Sequence, residues 1–190
     1  HAQDHRGLLG PVAGLRQGER VRTLLNLYVT PEVARQAVEH GAQLGGQMVE
    51  CSVLFADIRN FTGLSERLEP GALIETLNRY MTVMVAAIVA QGGMVNKFGG
   101  DSLLAVFGTP LNPAANHAAR AAQAACAMLS ALADFNQSQA QADRPTLAIG
   151  IGVASGPVVA GNVGGAERLE YTVIGDTVNL AARLEAHTKV

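Results

Sequence analysis

Tryptophan is absent from this 190-residue chain, and the other aromatics are few: five phenylalanines and three tyrosines. A core built from so few rings has to be packed mainly by aliphatic side chains and alanine. Only two cysteines occur, Cys51 and Cys126, and their spacing excludes a disulfide framework or a cysteine-based metal site. That scarcity suits a reducing, cytoplasmic setting. Charged residues make up 16% of the chain and sum to a formal net charge of -2 at pH 7, which leaves no basic footprint for nucleic acid. Long hydrophobic runs are missing too. The longest, "MTVMVAAIVA", is about ten residues, against roughly 20 for a bilayer-spanning helix. No membrane contact is expected from this segment, and no signal-peptide pattern opens it.

What the chain does have is 21 glycines within a composition that is 48% hydrophobic, as in a soluble α/β domain rich in tight turns. Its length fits one domain with a sizeable core plus a helical extension. The chain opens at His1 and closes at Val190 within an apparent helix, so it reads as part of a longer protein carrying further modules.

Residues 1–46 mix charges with Leu15, Val21, Leu24, Leu25 and Leu27 at roughly helical spacing. Thr30 as cap and Pro31 at the first helical position then start a new helix, which Gly41 stops. This is an N-terminal helical linker, either packed on its own domain or transmitting a signal to residues 47–190. From Glu50 the texture changes. "SVLFAD" is an apolar run ending abruptly in Asp57, the pattern of a buried strand. Apolar residues at 73, 74, 77, 80, 81, 84, 85 and 88 predict a long helix from Pro70 to Gly92-Gly93. "NKFGGDSLLAVFG" predicts a hairpin turning at Gly99-Gly100, and on the simplest reading Lys97 and Asp101 are an ordinary ion pair across the turn.

"NPAANHAARAAQAACAMLSALADFN" reads as a second long helix, "TLAIGIGVASG" and "RLEYTVIGD" as strands, and "TVNLAARLEA" as a closing helix. This order predicts an α+β sandwich in which helices flank a mostly antiparallel, ferredoxin-like sheet.

Within that arrangement Asp57 ends a strand and Asp101 follows a turn, so the two carboxylates could converge at one sheet edge as a hard-oxygen site for Mg²⁺. Taken singly, each carboxylate is as readily a turn residue. "IRNFTG" follows Asp57, and its backbone N–H groups at Phe61 and Thr62 open a helix where phosphate oxygens bind well. Asn179 and Arg183 lie one turn apart on a helix face. An arginine there suits developing phosphoryl charge, unless it is simply a surface arginine beside Glu185.

Taken in order, "VLFADIRNFTGLSE", "NKFGGDSLLAVFG", "IGIGVASGPVVAGNVG" and "LEYTVIGDTVNLAARLE" resemble the catalytic domain of class III nucleotide cyclases, specifically bacterial adenylyl cyclases. The resemblance runs from about residue 50 to the end. It implies an enzyme that converts ATP to 3′,5′-cyclic AMP and pyrophosphate. Asp57 and Asp101 would be the metal aspartates, with the Ile58 carbonyl as an added ligand, holding two Mg²⁺ or Mn²⁺ ions. Lys97 matches the purine-selecting lysine. The second purine-selecting position, often aspartate, falls here on Thr172, as in a bacterial subgroup of which some members respond to bicarbonate. Asn179 matches the ribose-orienting residue and Arg183 the residue that stabilises charge on the α-phosphate. The resemblance also implies a head-to-tail homodimer with shared active sites, driven by an upstream sensor. It replaces the ion pair across the turn with Lys97 and Asp101 pointed apart into different sites. A family lysine that contacts the triphosphate would lie beyond Val190.

Two other readings compete. One is a noncatalytic dimerisation or nucleotide-sensing module, which usually loses a metal aspartate or the arginine, whereas this sequence keeps both. The other is a diguanylate cyclase, suggested by "GGD", which would lack the acidic and aromatic residues expected after the glycines and would leave Asn179 and Arg183 unexplained.

Overall fold

Residues 18, 19, 23, 29–41, 44–165 and 167–188 are described by the computed structural model. The chain divides into two compact units, His1–Ala42 and Gln43–Val190. The helical stripe expected from Leu15 to Leu27 lies outside the described residues. Helix α1 (Pro31–His40) starts as expected with Pro31 in its first turn, and Gly41 beyond its end has φ +75°. Thr30 sits at the cap but makes no side-chain cap bond, and its carbonyl receives the Ala34 N–H at 3.0 Å.

The second unit begins with β1 (Gly45–Ile58), which starts before the change of texture at Glu50 because Gly45–Val49 pair along a later strand. A short helix, α2 (Phe61–Arg67), follows the strand, and α3 (Pro70–Ala90) follows α2. The hairpin consists of β2 (Met94–Gly99) and β3 (Ser102–Phe107). After it come α4 (His117–Gln141), β4 (Ile149–Gly165), β5 (Arg168–Ile174) and α5 (Asp176–His187). The five strands form one sheet in the order β2-β3-β1-β4-β5, and every neighbouring pair is antiparallel.

Alternation along the strands sorts the two faces of the sheet. Leu54, Ala56 and Ile58 of β1 join Leu103, Ala105 and Phe107 of β3 in a core with Tyr80, Met84 and Ile88 of α3 and Met128, Leu132 and Phe135 of α4. The four-residue spacing on α3 is one buried stripe. Each such side chain removed from water contributes roughly 2 kcal/mol. Among the described residues α3 alone is long and apolar enough to cross a membrane by length and composition. Its stripe is instead buried against the sheet and α4.

Helix α5 covers the opposite face, burying Thr177, Ala181 and Glu185. It can lie so close because β4 presents glycine beneath it. A Cβ on Gly152 would meet the Ala181 carbonyl oxygen at 2.1 Å and the Glu185 nitrogen at 2.3 Å, both backbone atoms that cannot swing aside. Gly152→Ala is therefore expected to destabilise the fold by about 3 kcal/mol, seen as a lower urea midpoint at unchanged denaturant slope.

The hairpin turns one residue later than expected. Gly99 pairs with Ser102, leaving Gly100 and Asp101 as the two loop residues, and Gly100 has φ +70°. Glycine first with positive φ is the requirement of a type II′ turn. Asp101 is therefore part of the turn itself.

Candidate active site

Asp57 and Asp101 are brought to the same end of neighbouring strands by register. Asp57 pairs across the ladder with Ser102, the residue directly after Asp101, and with Gly150 on its other side. Both aspartates are partly buried at the same end of neighbouring strands. The buried Tyr80 phenol senses both: burial first, then the Asp57 and Asp101 charges, push its pKa well above the usual tyrosine range. Among the described residues no cluster of three or more His, Cys, Asp or Glu side chains could hold a metal. Two carboxylates do fit Mg²⁺, which commonly takes one or two from protein and completes its shell with water and substrate phosphates.

Ile58, next to Asp57, buries its side chain in the core. The chain then turns sharply at Asn60, which has φ 54°, before Phe61 and Thr62 open α2. Thus Asp57, Ile58, Phe61 and Thr62 all lie at one strand end. Between them, Arg59 reaches α5, donating to Glu185 Oε1 at 2.6 Å and to the Glu185 carbonyl at 2.9 Å, and bonding Thr188 as well. The Arg59–Glu185 pair is largely buried, so removing one partner would strand the other charge.

Glu185 does not accompany Arg183, because two residues along a helix is about 200° of rotation. Glu185 turns inward, and Asn179 and Arg183 stay on the exposed side of α5. Among the described residues Arg183 forms no ion pair.

Lys97 also differs from the simple expectation. Its ammonium pairs with Glu170 of β5 at 2.8 Å instead of bridging the turn to Asp101. Beside it Asn96 donates from Nδ2 to the Tyr171 carbonyl at 2.7 Å, and the Thr172 hydroxyl donates to Asn96 Oδ1 at 3.3 Å. β2 and β5 are the two edges of the sheet in hydrogen-bond order, yet these side-chain bonds link them, so the sheet is coiled enough to bring its edges within side-chain reach. Lys97, exposed, and Thr172, buried, 75 positions apart by their numbers, thereby lie along one seam between β2 and β5.

A bulge in β2 makes this possible. Val95 pairs with Ala105 and Lys97 with Leu104, leaving Asn96 as the extra residue. Neighbouring strand residues normally point to opposite faces, and a bulge lets two point the same way. Asn96 and Glu170 were not singled out in the sequence. The only available signal was the polar Asn96 inside an apolar strand, and nothing in a linear pattern marks a bulge there.

Residues 46–190 match the family described as the adenylate and guanylate cyclase catalytic domain. The chain belongs to that family. Among curated relatives, this cyclase domain is 45% identical over 179 residues to an uncharacterized protein of Mycobacterium tuberculosis, covering 94% of this chain and 30% of the relative. The chain thus spans about a third of the length of the curated relatives it matches.

Two solved structures resemble it comparably. The adenylyl cyclase CyaB from P. aeruginosa is 37% identical with a TM-score of 0.72, covering 76% of this chain and 74% of that one. The guanylyl cyclase Cya2 is 36% identical with the same TM-score of 0.72, covering 76% and 73%. The chain is therefore a class III nucleotide cyclase domain, and its neighbours include enzymes of both base specificities.

Cys51 plays no visible part in this cyclase site. Burial, with a smaller contribution from Glu50, pushes its thiol pKa up to about 11, so it stays protonated and inert at neutral pH.

Proposed function

We propose that this domain is an adenylyl cyclase, converting ATP to 3′,5′-cyclic AMP and pyrophosphate in signal transduction. The observation that supports the reading is that Lys97, bonded to Glu170, and Thr172, bonded to Asn96 beside Lys97, lie along the same seam between β2 and β5, and that both residue types fit adenine. An ammonium only donates, so it suits adenine N1, an acceptor, and meets a like-polarity N1–H in guanine. The threonine oxygen can accept from the adenine amino group. Lys97 is about half exposed, so its bond to Glu170 is worth under about 1 kcal/mol. With three donors, the ammonium can keep Glu170 and still bind a base.

In the reaction the ribose O3′–Pα bond forms as the bond from Pα to the β-phosphate oxygen breaks. Pyrophosphate leaves with that electron pair, and the hydroxyl proton passes to solvent. Asp57, Asp101 and the Ile58 carbonyl would hold two Mg²⁺ or Mn²⁺ ions, which supply a lowered 3′-hydroxyl pKa and neutralisation of phosphate charge. Phe61 and Thr62 would present backbone N–H groups to the phosphates. Asn179 orients the ribose, and Arg183 stabilises charge building on the α-phosphate.

The domain works as a head-to-tail homodimer whose sites each take metal aspartates from one subunit and Lys97, Thr172, Asn179 and Arg183 from the other. An exposed apolar row supports pairing of copies: Met48, Val159 and Ile174 lie directly across β1, β4 and β5 and are 69%, 41% and 51% exposed. Such a row is costly to leave in water. The larger size of its relatives supports an upstream sensor acting on the domain. The full-length protein, given ATP or GTP with Mg²⁺ or Mn²⁺, is expected to form cyclic AMP with GTP a poor substrate. Failure to form cyclic nucleotide from either overturns the reading.

A further inference from the structure

The bond between Thr172 and Asn96 has a direction. The Tyr171 carbonyl can only accept, so the Asn96 group facing it at 2.7 Å must be the amide nitrogen. The Asn96 oxygen therefore faces Thr172, and the Thr172 hydroxyl donates its single proton to it across 3.3 Å, a long bond for an O–H donor.

A free threonine hydroxyl does not discriminate between purines. It can accept from the amino group of adenine, or rotate and donate to the O6 carbonyl of guanine. With its proton committed to Asn96, the oxygen can only accept. We propose that Asn96, the bulged residue of β2, is a positioning residue that sets base specificity by making the Thr172 oxygen an acceptor alone. This fits a purine bearing an amino group at C6 and opposes one bearing a carbonyl. The inference rests on the adenylyl reading above, and it assigns the selectivity of Thr172 to a neighbour that need not touch the base.

The test compares kcat/KM for ATP and GTP in the full-length protein. Asn96→Leu removes the acceptor, frees the Thr172 proton and should lower the ATP-over-GTP preference about tenfold, the worth of one such hydrogen bond. Asn96→Asp keeps the acceptor for Thr172 while losing the donor to Tyr171, and should hold the preference within about twofold even if overall rates fall. A role confined to tying β2 to β5 predicts otherwise. Both variants would then lose activity on both nucleotides alike, with the ratio unmoved, and that result overturns the assignment.

Should Asn96→Leu not fold, Asn96→Ser, too short to reach Thr172, carries the same expectation. If the wild type turns over neither nucleotide, relative affinities for 3′-deoxy-ATP and 3′-deoxy-GTP, which cannot cyclise, read the same ratio by calorimetry. Loss of preference there in Asn96→Leu supports the assignment, and no loss overturns it. A wild-type preference for ATP that survives Asn96→Leu sinks the Asn96 assignment alone. A wild-type preference for GTP sinks the adenylyl reading as well.

Discussion

Asp57→Ala and Arg183→Ala are each expected to lower cyclic nucleotide formation by a factor of about 10²–10³ or more, and a mixture of the two inactive full-length proteins is expected to regain activity. Asp57 closes β1 beside the Asp101 turn, whereas Arg183 stands on the exposed side of α5. If each site takes its aspartates from one subunit and its arginine from the other, a mixed dimer carries both defects in one site and neither in its twin. Equal, freely exchanging subunits then give about a quarter of wild-type activity, since half the dimers are mixed and each has one working site of two. The readout is specific activity against mixing ratio. Flat, negligible activity in a mixture whose subunits demonstrably exchange would argue that each chain holds a complete site.

Lys97→Glu is expected to lower kcat/KM for ATP by a factor of about 10²–10³. On the adenylyl reading it replaces the donor to adenine N1 with an acceptor, leaving two acceptors opposed. The substitution also sets a second carboxylate against Glu170, where the ammonium now sits at 2.8 Å, so loosening of β5 from β2 could by itself depress activity. Combining Lys97→Glu with Glu170→Lys separates the two effects. The swap restores an opposite-charge pair across the same gap, yet the base still lacks its donor at position 97. If Lys97 reads the base, ATP turnover stays low in the swapped protein. Recovery to wild-type kinetics would mean that the ion pair matters and that Lys97 does not contact the purine.

The position of Asp57 at a strand end was the most legible part of the candidate site. A run such as "SVLFAD" is buried up to its last residue, and a charge placed where the strand meets the turn is visible in the linear pattern. The long helices were legible for a related reason, since the stripe of Tyr80, Met84 and Ile88 repeats at the helical period. Their ends were less so. α4 starts at His117, past the prolines and asparagines that seemed to open it, and runs on to Gln141. β4 extends to Gly165, well beyond the "TLAIGIGVASG" segment, because glycines that read as breaks are tolerated where strands and helices approach closely.

Partnerships between distant charges were not legible. Spacing alone offered Asp101 as a neighbour for Lys97, which the resemblance instead assigned to a different site, and placed Arg183 beside Glu185. Lys97 pairs instead with Glu170, and Arg183 leaves Glu185 to Arg59. In both cases proximity along the chain was overruled by the direction in which a helix or strand points its side chains.

The amino-acid sequence by itself determined the order of elements, the buried stripes and the residue types available for phosphoryl chemistry, because periodicity and strand ends are local properties. Only the tertiary structure decided which of those residues meet. The coil of the sheet carries β5 back to β2, and the single-residue bulge at Asn96 turns that side chain toward Tyr171 and Thr172. Both are long-range consequences of register and twist, in which one extra residue on a strand redirects its neighbours.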